Sequence, residues 1–356
     1  MTPRLKFIFI QFLLTIGIFF VFEGIVSVIM ALRPIWDYKE SRWTKPDPWL
    51  GWVNIPNLNK KDFFRKGVGL RTNGLGFRAD KDYSAHIPNG KKRIVCLGDS
   101  YTFNLDLDNE DTWCRRLELL DPRLEVVNMG VTSYGFDQMY LLYLRNGLYL
   151  EYDILIVALV SWDMCRYGDH FFDLAKPFLV IDNNSLLVKG VPVRNYLSFL
   201  GRVNRTRYHL ERLASLRAIR WLFRKFSLPK SNSESMADYD REYLLTVKIM
   251  EDILRLKGPN KGSVVMLWLP TVEDILEIDS AQIKLKKRIK EALVKLGILF
   301  IDLTEDFKGK SLPELKKLFL FEYSGGTIRL HHFSLQGAAY IAELLYQRLL
   351  AEGLLS

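Results

Sequence analysis

Five short apolar runs punctuate the chain, at residues 94–97, 124–129, 154–160, 263–269 and 298–301. Each is rich in Val, Ile and Leu and continuous rather than alternating, the pattern of strands buried on both faces. Between and after them, apolar positions recur with a 3.6-residue period, predicting helices around 112–119, 138–148, 280–296 and 336–350. Strands alternating with helices imply a parallel sheet covered on both sides. The expected fold class is therefore α/β, a three-layer α/β/α sandwich on a five-stranded parallel sheet.

The N-terminus has a different pattern. From Phe7 to Leu32 the chain is almost uninterrupted hydrocarbon, long enough as a helix, at about 39 Å, to cross a bilayer. The run continues through Val26, Val28, Ile29 and Met30 without the small residues of a cleavage site, so an uncleaved transmembrane anchor is expected rather than a removed signal peptide. Arg4 and Lys6 precede it, which by the positive-inside rule keeps the N-terminus cytoplasmic and exports the rest; Arg33 just beyond weakens the bias. Glu23 inside the run is expected to reach the interface. The expected localisation is the bacterial inner membrane, single-pass, with the bulk of the chain on the periplasmic or extracytoplasmic side.

Three regions follow from these patterns: a tail and anchor at 1–32, a lead-in segment at 33–90 packed on the core, and an α/β domain at 91–356. Pro46, Pro48 and Pro56 argue against a long helix in the lead-in, while Trp49 and Trp52 argue against a flexible linker. An insertion at about 171–240 is too long for an ordinary connection. Within it, Asp182-Asn183-Asn184-Ser185 between apolar runs predicts a hairpin, residues 202–225 read as a basic amphipathic helix or helix pair, and 231–235 reads as a surface loop.

Charge and cysteine content narrow the function classes. The formal net charge is +9. An exported domain makes anionic headgroups or acidic glycans better partners for that charge than nucleic acid. Cys96, Cys114 and Cys165 show neither a Cys-x-x-Cys pair nor ligand spacing, so no metal site and no disulfide framework is expected, and no cofactor is implied.

The candidate chemistry lies at two places. Gly98-Asp99-Ser100 closes the first predicted strand, and His332-Phe333-Ser334 with Gly337 precedes the last predicted helix. Ligands gather at the carboxyl ends of strands in such sheets. A serine hydroxyl is a poor nucleophile until an imidazole takes its proton, and the tetrahedral oxyanion needs preplaced N–H donors. A metal site from His331, His332 and Asp163 has no spacing to select it.

From about Trp49 to the C-terminus these blocks resemble the SGNH or GDSL hydrolases, in particular their membrane-anchored bacterial members. The resemblance implies an SGNH, flavodoxin-like sandwich, with Ser100 as nucleophile, His332 as base and Asp99 fixing the nucleophile turn. It also implies an oxyanion hole from the backbone N–H groups of Ser100 and Gly130, the latter in Asn128-Met129-Gly130. Two positions depart from the family. Where its third block has Gly-x-Asn-Asp, this chain reads Val160-Ser161-Trp162-Asp163, so Trp162 replaces the donor Asn and Asp163 is kept. Where Asp-x-x-His would place the triad carboxylate, the residue is Arg329, a cation expected to oppose the imidazolium. Asp302, Asp306 and Glu322 are candidate substitutes.

The expected activity is hydrolysis of acyl or acetyl esters on cell-surface glycans or lipids through a Ser100 acyl-enzyme. The alternatives are O-acetyl transfer to a cell-surface polysaccharide, and an inactive domain that binds glycan or a membrane acyltransferase.

Overall fold

The computed structural model describes residues 2–36, 43–171, 174–195, 233–257, 262–324 and 327–355. The predicted basic helices at 202–225 lie outside these residues. A helix runs from Pro3 to Trp36, and its stretch Pro3–Ile25 has a mean hydropathy of 2.3 with none of it buried against the protein. By length and composition it is able to cross a membrane.

After it, β1 (Thr44–Asp47) pairs with β2 (Gly51–Asn54), and β3 (Asn59–Arg65) with β4 (Val68–Arg71), in two antiparallel ribbons. The central sheet then forms from β5 (Lys92–Leu97), β6 (Leu124–Asn128) and β7 (Ile154–Leu159). Two short ribbons follow, β8 (His170–Phe171) with β9 (Leu174–Ala175) and β10 (Phe178–Asp182) with β11 (Ser185–Lys189). Asn183 and Asn184 both take positive φ between β10 and β11, the backbone a two-residue hairpin turn demands. The sheet is completed by β12 (Ser263–Trp268) and β13 (Leu299–Asp302), and the chain ends with the antiparallel pair β14 (Phe319–Ser324) and β15 (Thr327–Phe333).

All neighbours in the central sheet are parallel, in the spatial order β6, β5, β7, β12, β13. The strands alternate between two cores. Val95, Leu97, Leu155, Val157, Met266 and Trp268 face the helices Phe136–Leu142, Ser233–Leu256 and Ser280–Lys295. Ile94, Cys96, Ile156, Ala158 and Leu267 face Trp113–Leu120 and Leu335–Ala351. Burial on both faces is why these strands carry no polar alternation. The expected three-layer α/β/α sandwich is the observed fold. Its order reverses between β5 and β7, and the crevice beyond their carboxyl ends is where doubly wound sheets bind ligands.

One local expectation is corrected. The stretch 231–235 does not end as a loop, because a helix begins at Ser233 and runs to Leu256, burying Leu245, Ile249, Met250 and Ile253. His331 and His332 lie on β15, just ahead of the last helix, which starts at Leu335.

Candidate active site

The strand β5 stops at Leu97, and Gly98 and Asp99 turn the chain into the short helix Ser100–Phe103. A Cβ on Gly98 would overlap Thr102 Oγ1, and one on Gly130 would overlap the backbone of Phe103, so the turn closes only with glycine at both places. Asp99 caps the helix by accepting from the Tyr101 N–H at 2.8 Å. Asn128 braces the same turn, its Nδ2 donating to Thr102 O at 2.8 Å.

The lead-in segment supplies further supports. Asn54 Nδ2 donates to the carbonyls of Gly76 and Gly130. The buried Arg78 guanidinium donates to the carbonyls of Phe103, Asn104 and Leu107 and to Asn109 Oδ1. Burial pulls that guanidinium's pKa down to about 9. Tyr134 and Asn104 belong to this scaffold: both are buried, Tyr134 donating to Trp52 O and Asn104 accepting from the Trp113 N–H.

The candidate base comes from the far end of the chain. His332 Nε2 lies 2.8 Å from Ser100 Oγ, and the imidazole packs beside Tyr101 at 5.0 Å between ring centroids. A bulge puts it there. In the β14–β15 ladder Leu320 pairs with His331 and Phe319 with Phe333, which leaves His332 as the extra residue of β15. Bulges of this kind re-aim a side chain beside active sites. The following Ser334 caps the last helix through the Gly337 N–H, and Gly337 lets the Leu318 carbonyl approach where a Cβ would clash. Burial lowers the His332 pKa, with His331 and Arg166 acting in the same sense and Asp99 and Asp106 opposing them.

Below Ser100 lies a cluster that sequence reasoning found only in part. Asp163, in the turn Ser161–Arg166 after β7, accepts from the Val160 N–H at 3.0 Å. One Arg166 nitrogen donates to Asp163 Oδ1 at 2.8 Å, Asp99 Oδ2 at 3.1 Å and Tyr134 O at 2.7 Å. Asp99 Oδ2 in turn accepts from Ser100 Oγ at 3.3 Å. Burial, reinforced by the Asp99 charge, raises the Asp163 pKa well above the usual carboxylate range. Burial alone would lower Arg166, yet Asp163 and Asp99 more than offset it and its pKa is raised. The signal for Arg166 was its i, i+3 spacing from Asp163 in a turn next to the nucleophile.

The remaining candidates fall elsewhere. The Gly130 N–H already donates to Asn128 Oδ1 at 2.9 Å, so the donor expected for the oxyanion is engaged by its own segment. The Ser100 N–H sits in the first helical turn, which leaves it without an intrahelical acceptor. Trp162 is 46% exposed, and its indole makes no hydrogen bond among the described residues. Asp302 pairs with Lys286 at 2.9 Å and Asp306 with Arg348 at 3.0 Å, so neither serves His332. Glu322 and Arg329 are cross-strand partners in the β14–β15 ladder. Residues 327–333 are extended, so position 329 lies about 10 Å along the strand from His332. His332 Nδ1 is buried and has no hydrogen-bond partner among the described residues.

No protein-family profile matches the chain, and no curated protein matches it. Solved structures with a similar course of chain include an acetyl xylan esterase, 10% identical, with 72% of this chain and 98% of that one covered at a TM-score of 0.43. A carbohydrate acetylesterase from Sinorhizobium meliloti is 11% identical, with 73% and 99% covered at 0.40. A member of the lipolytic G-D-S-L family from Veillonella parvula is 12% identical, with 72% and 99% covered at 0.39. At such distances the chemistry of this chain is carried by its own residues and not by these likenesses.

Proposed function

We propose that this chain is a membrane-anchored ester hydrolase of the SGNH or GDSL type that works through a Ser100 acyl-enzyme. One observation carries the reading: the 2.8 Å contact between His332 Nε2 and Ser100 Oγ, made by residues 232 positions apart at the switch point of the sheet. Ser100 Oγ attacks the ester carbonyl while its proton passes to Nε2, and His332 returns that proton to the departing alkoxide. Water then deacylates the serine by the same route in reverse. The substrate class is acyl or acetyl esters on cell-surface glycans or lipids.

Full-length protein in detergent should hydrolyse p-nitrophenyl acetate and take up a fluorophosphonate at Ser100. No hydrolysis and no label at Ser100 would overturn the reading and favour a binding domain, for which the unpartnered Nδ1 of His332 is the supporting observation. Acyl transfer that depends on added sugar would instead select an O-acetyltransferase. The anchor is the helix Pro3–Trp36, with Arg4 and Lys6 on the cytoplasmic side. A phosphatase fused to the C-terminus should be active, and a silent fusion would reverse the sidedness.

A further inference from the structure

We propose that Asp99 stabilises the His332 imidazolium, as a carboxylate on Nδ1 does in a serine–histidine–aspartate triad but from the serine side of the imidazole, and that Arg166 and Asp163 are positioning residues that hold Asp99 there. The inference rests on the esterase reading.

The geometry carries it. Ser100 Oγ has two acceptors, His332 Nε2 at 2.8 Å and Asp99 Oδ2 at 3.3 Å, and only one proton to give. When that proton points to Asp99, Nε2 carries the imidazole hydrogen and faces Oγ as a donor, an arrangement unable to take a proton. When it points to His332, Nε2 is the bare nitrogen and the site is ready. As the Oγ–carbonyl bond forms and the π pair moves onto the carbonyl oxygen, the hydroxyl proton goes to Nε2. The imidazolium then feels the charge of a carboxylate that the hydroxyl has just released.

Asp99 is not free to turn away. Its Oδ1 caps Tyr101, and its Oδ2 is gripped by Arg166, which is fixed in turn by Asp163 and the Tyr134 carbonyl. The Arg166 backbone carbonyl is held from a third side by Lys176, itself in a buried ion pair with Asp137 at 2.6 Å. Among the described residues, the charged and titratable groups around His332 are Asp99 and Tyr101 on the nucleophile turn, Asp106 in the loop after it, Arg166 from the turn after β7, and His331 on its own strand. Of these, Asp99 is the main influence favouring the charged imidazole.

The test reads the His332 pKa directly, so it does not depend on the protein being active. Full-length protein with 15N-labelled histidine is titrated in detergent, and the His332 signal is assigned by its loss in His332→Gln. In Asp99→Asn, which keeps the cap and removes the charge, the His332 pKa should drop by about one unit. The acid limb of kcat/KM should move by the same amount, with kcat/KM reduced about 100-fold. Should that variant fail to fold, Asp99→Ser retains an N-cap acceptor and carries the same expectation. In Arg166→Lys, which keeps the charge and loses the guanidinium geometry that reaches Asp99, Asp163 and the Tyr134 carbonyl together, kcat should fall at least tenfold with the limb unmoved. A His332 pKa that stays put or rises in the Asp99 variants would overturn the proposal. An unmoved esterase rate beside a shifted pKa would show that Asp99 senses His332 without assisting it, and would overturn it equally. A shifted pKa in a protein with no activity at all would count against the esterase reading, leaving the electrostatic pairing intact.

Discussion

Ser100 stands on a turn fixed from several directions, by Gly98 and Gly130, by Asn128, by Asp99 with Arg166, and by Arg78 from the lead-in segment. His332 stands on a two-stranded hairpin and makes one side-chain hydrogen bond among the described residues. The nucleophile is thus part of the hydrophobic frame, whereas the base is delivered to it from outside the central sheet. A site built this way holds its serine from many sides and its histidine from few.

The strongest break of the comparison removes the fixed side. Ser100→Ala should lower kcat by at least about 10⁴-fold with little change in Tm, and adding His332→Ala should cost almost nothing more, because residues acting as a unit are non-additive. Additive losses would show that the two do not work together. Next, Arg78→Met should destabilise by about 3 kcal/mol in urea melts, since it strands several buried carbonyls of the nucleophile loop. A change within experimental error would mean that the turn is held without it.

The loose side answers to pH. Burial depresses the His332 pKa below 6.5, so the neutral base persists into mild acid and kcat/KM should fall only as pH drops through a value below 6.5. A limb at or above 6.5 would contradict the buried imidazole. The same group contributes stability that is complete above its unfolded pKa and is lost as pH falls toward the depressed folded value, because the unfolded chain takes up the proton first. The smallest expected effect is at Trp162. Loss of a working oxyanion donor typically slows a reaction by about 10²–10³. With its indole exposed and unbonded, Trp162→Ala should slow hydrolysis by less than about tenfold, and a larger loss would place the indole in the oxyanion hole.

The same division decided what could be read from sequence. The five sheet strands announce themselves because burial on both faces makes them mostly continuous apolar runs, and Gly98-Asp99-Ser100 could be placed at a strand end for that reason. The histidine's surroundings could not be read so. Residues 319–324 and 327–333 pair as antiparallel strands, which no apolar run in the sequence announced. The helix Ser233–Leu256 was hidden because its Ser- and Asn-rich approach reads as loop. Arg166 was missed because a pairing between two strand-end turns depends on which strands are neighbours, and β5 and β7 become neighbours only in the folded order.

The ribbon β1–β2 gives the site a radius of action. Asn54 at its end holds Gly130, and Trp52 within it donates to the Thr132 carbonyl. Seven residues, 37–43, separate that ribbon from the end of the apolar helix, a link of at most about 25 Å. With the helix in a bilayer, the serine patrols a shallow layer just above the lipid surface. Esters carried within that layer would meet it at high local concentration, and freely diffusing ones would have to come down to it.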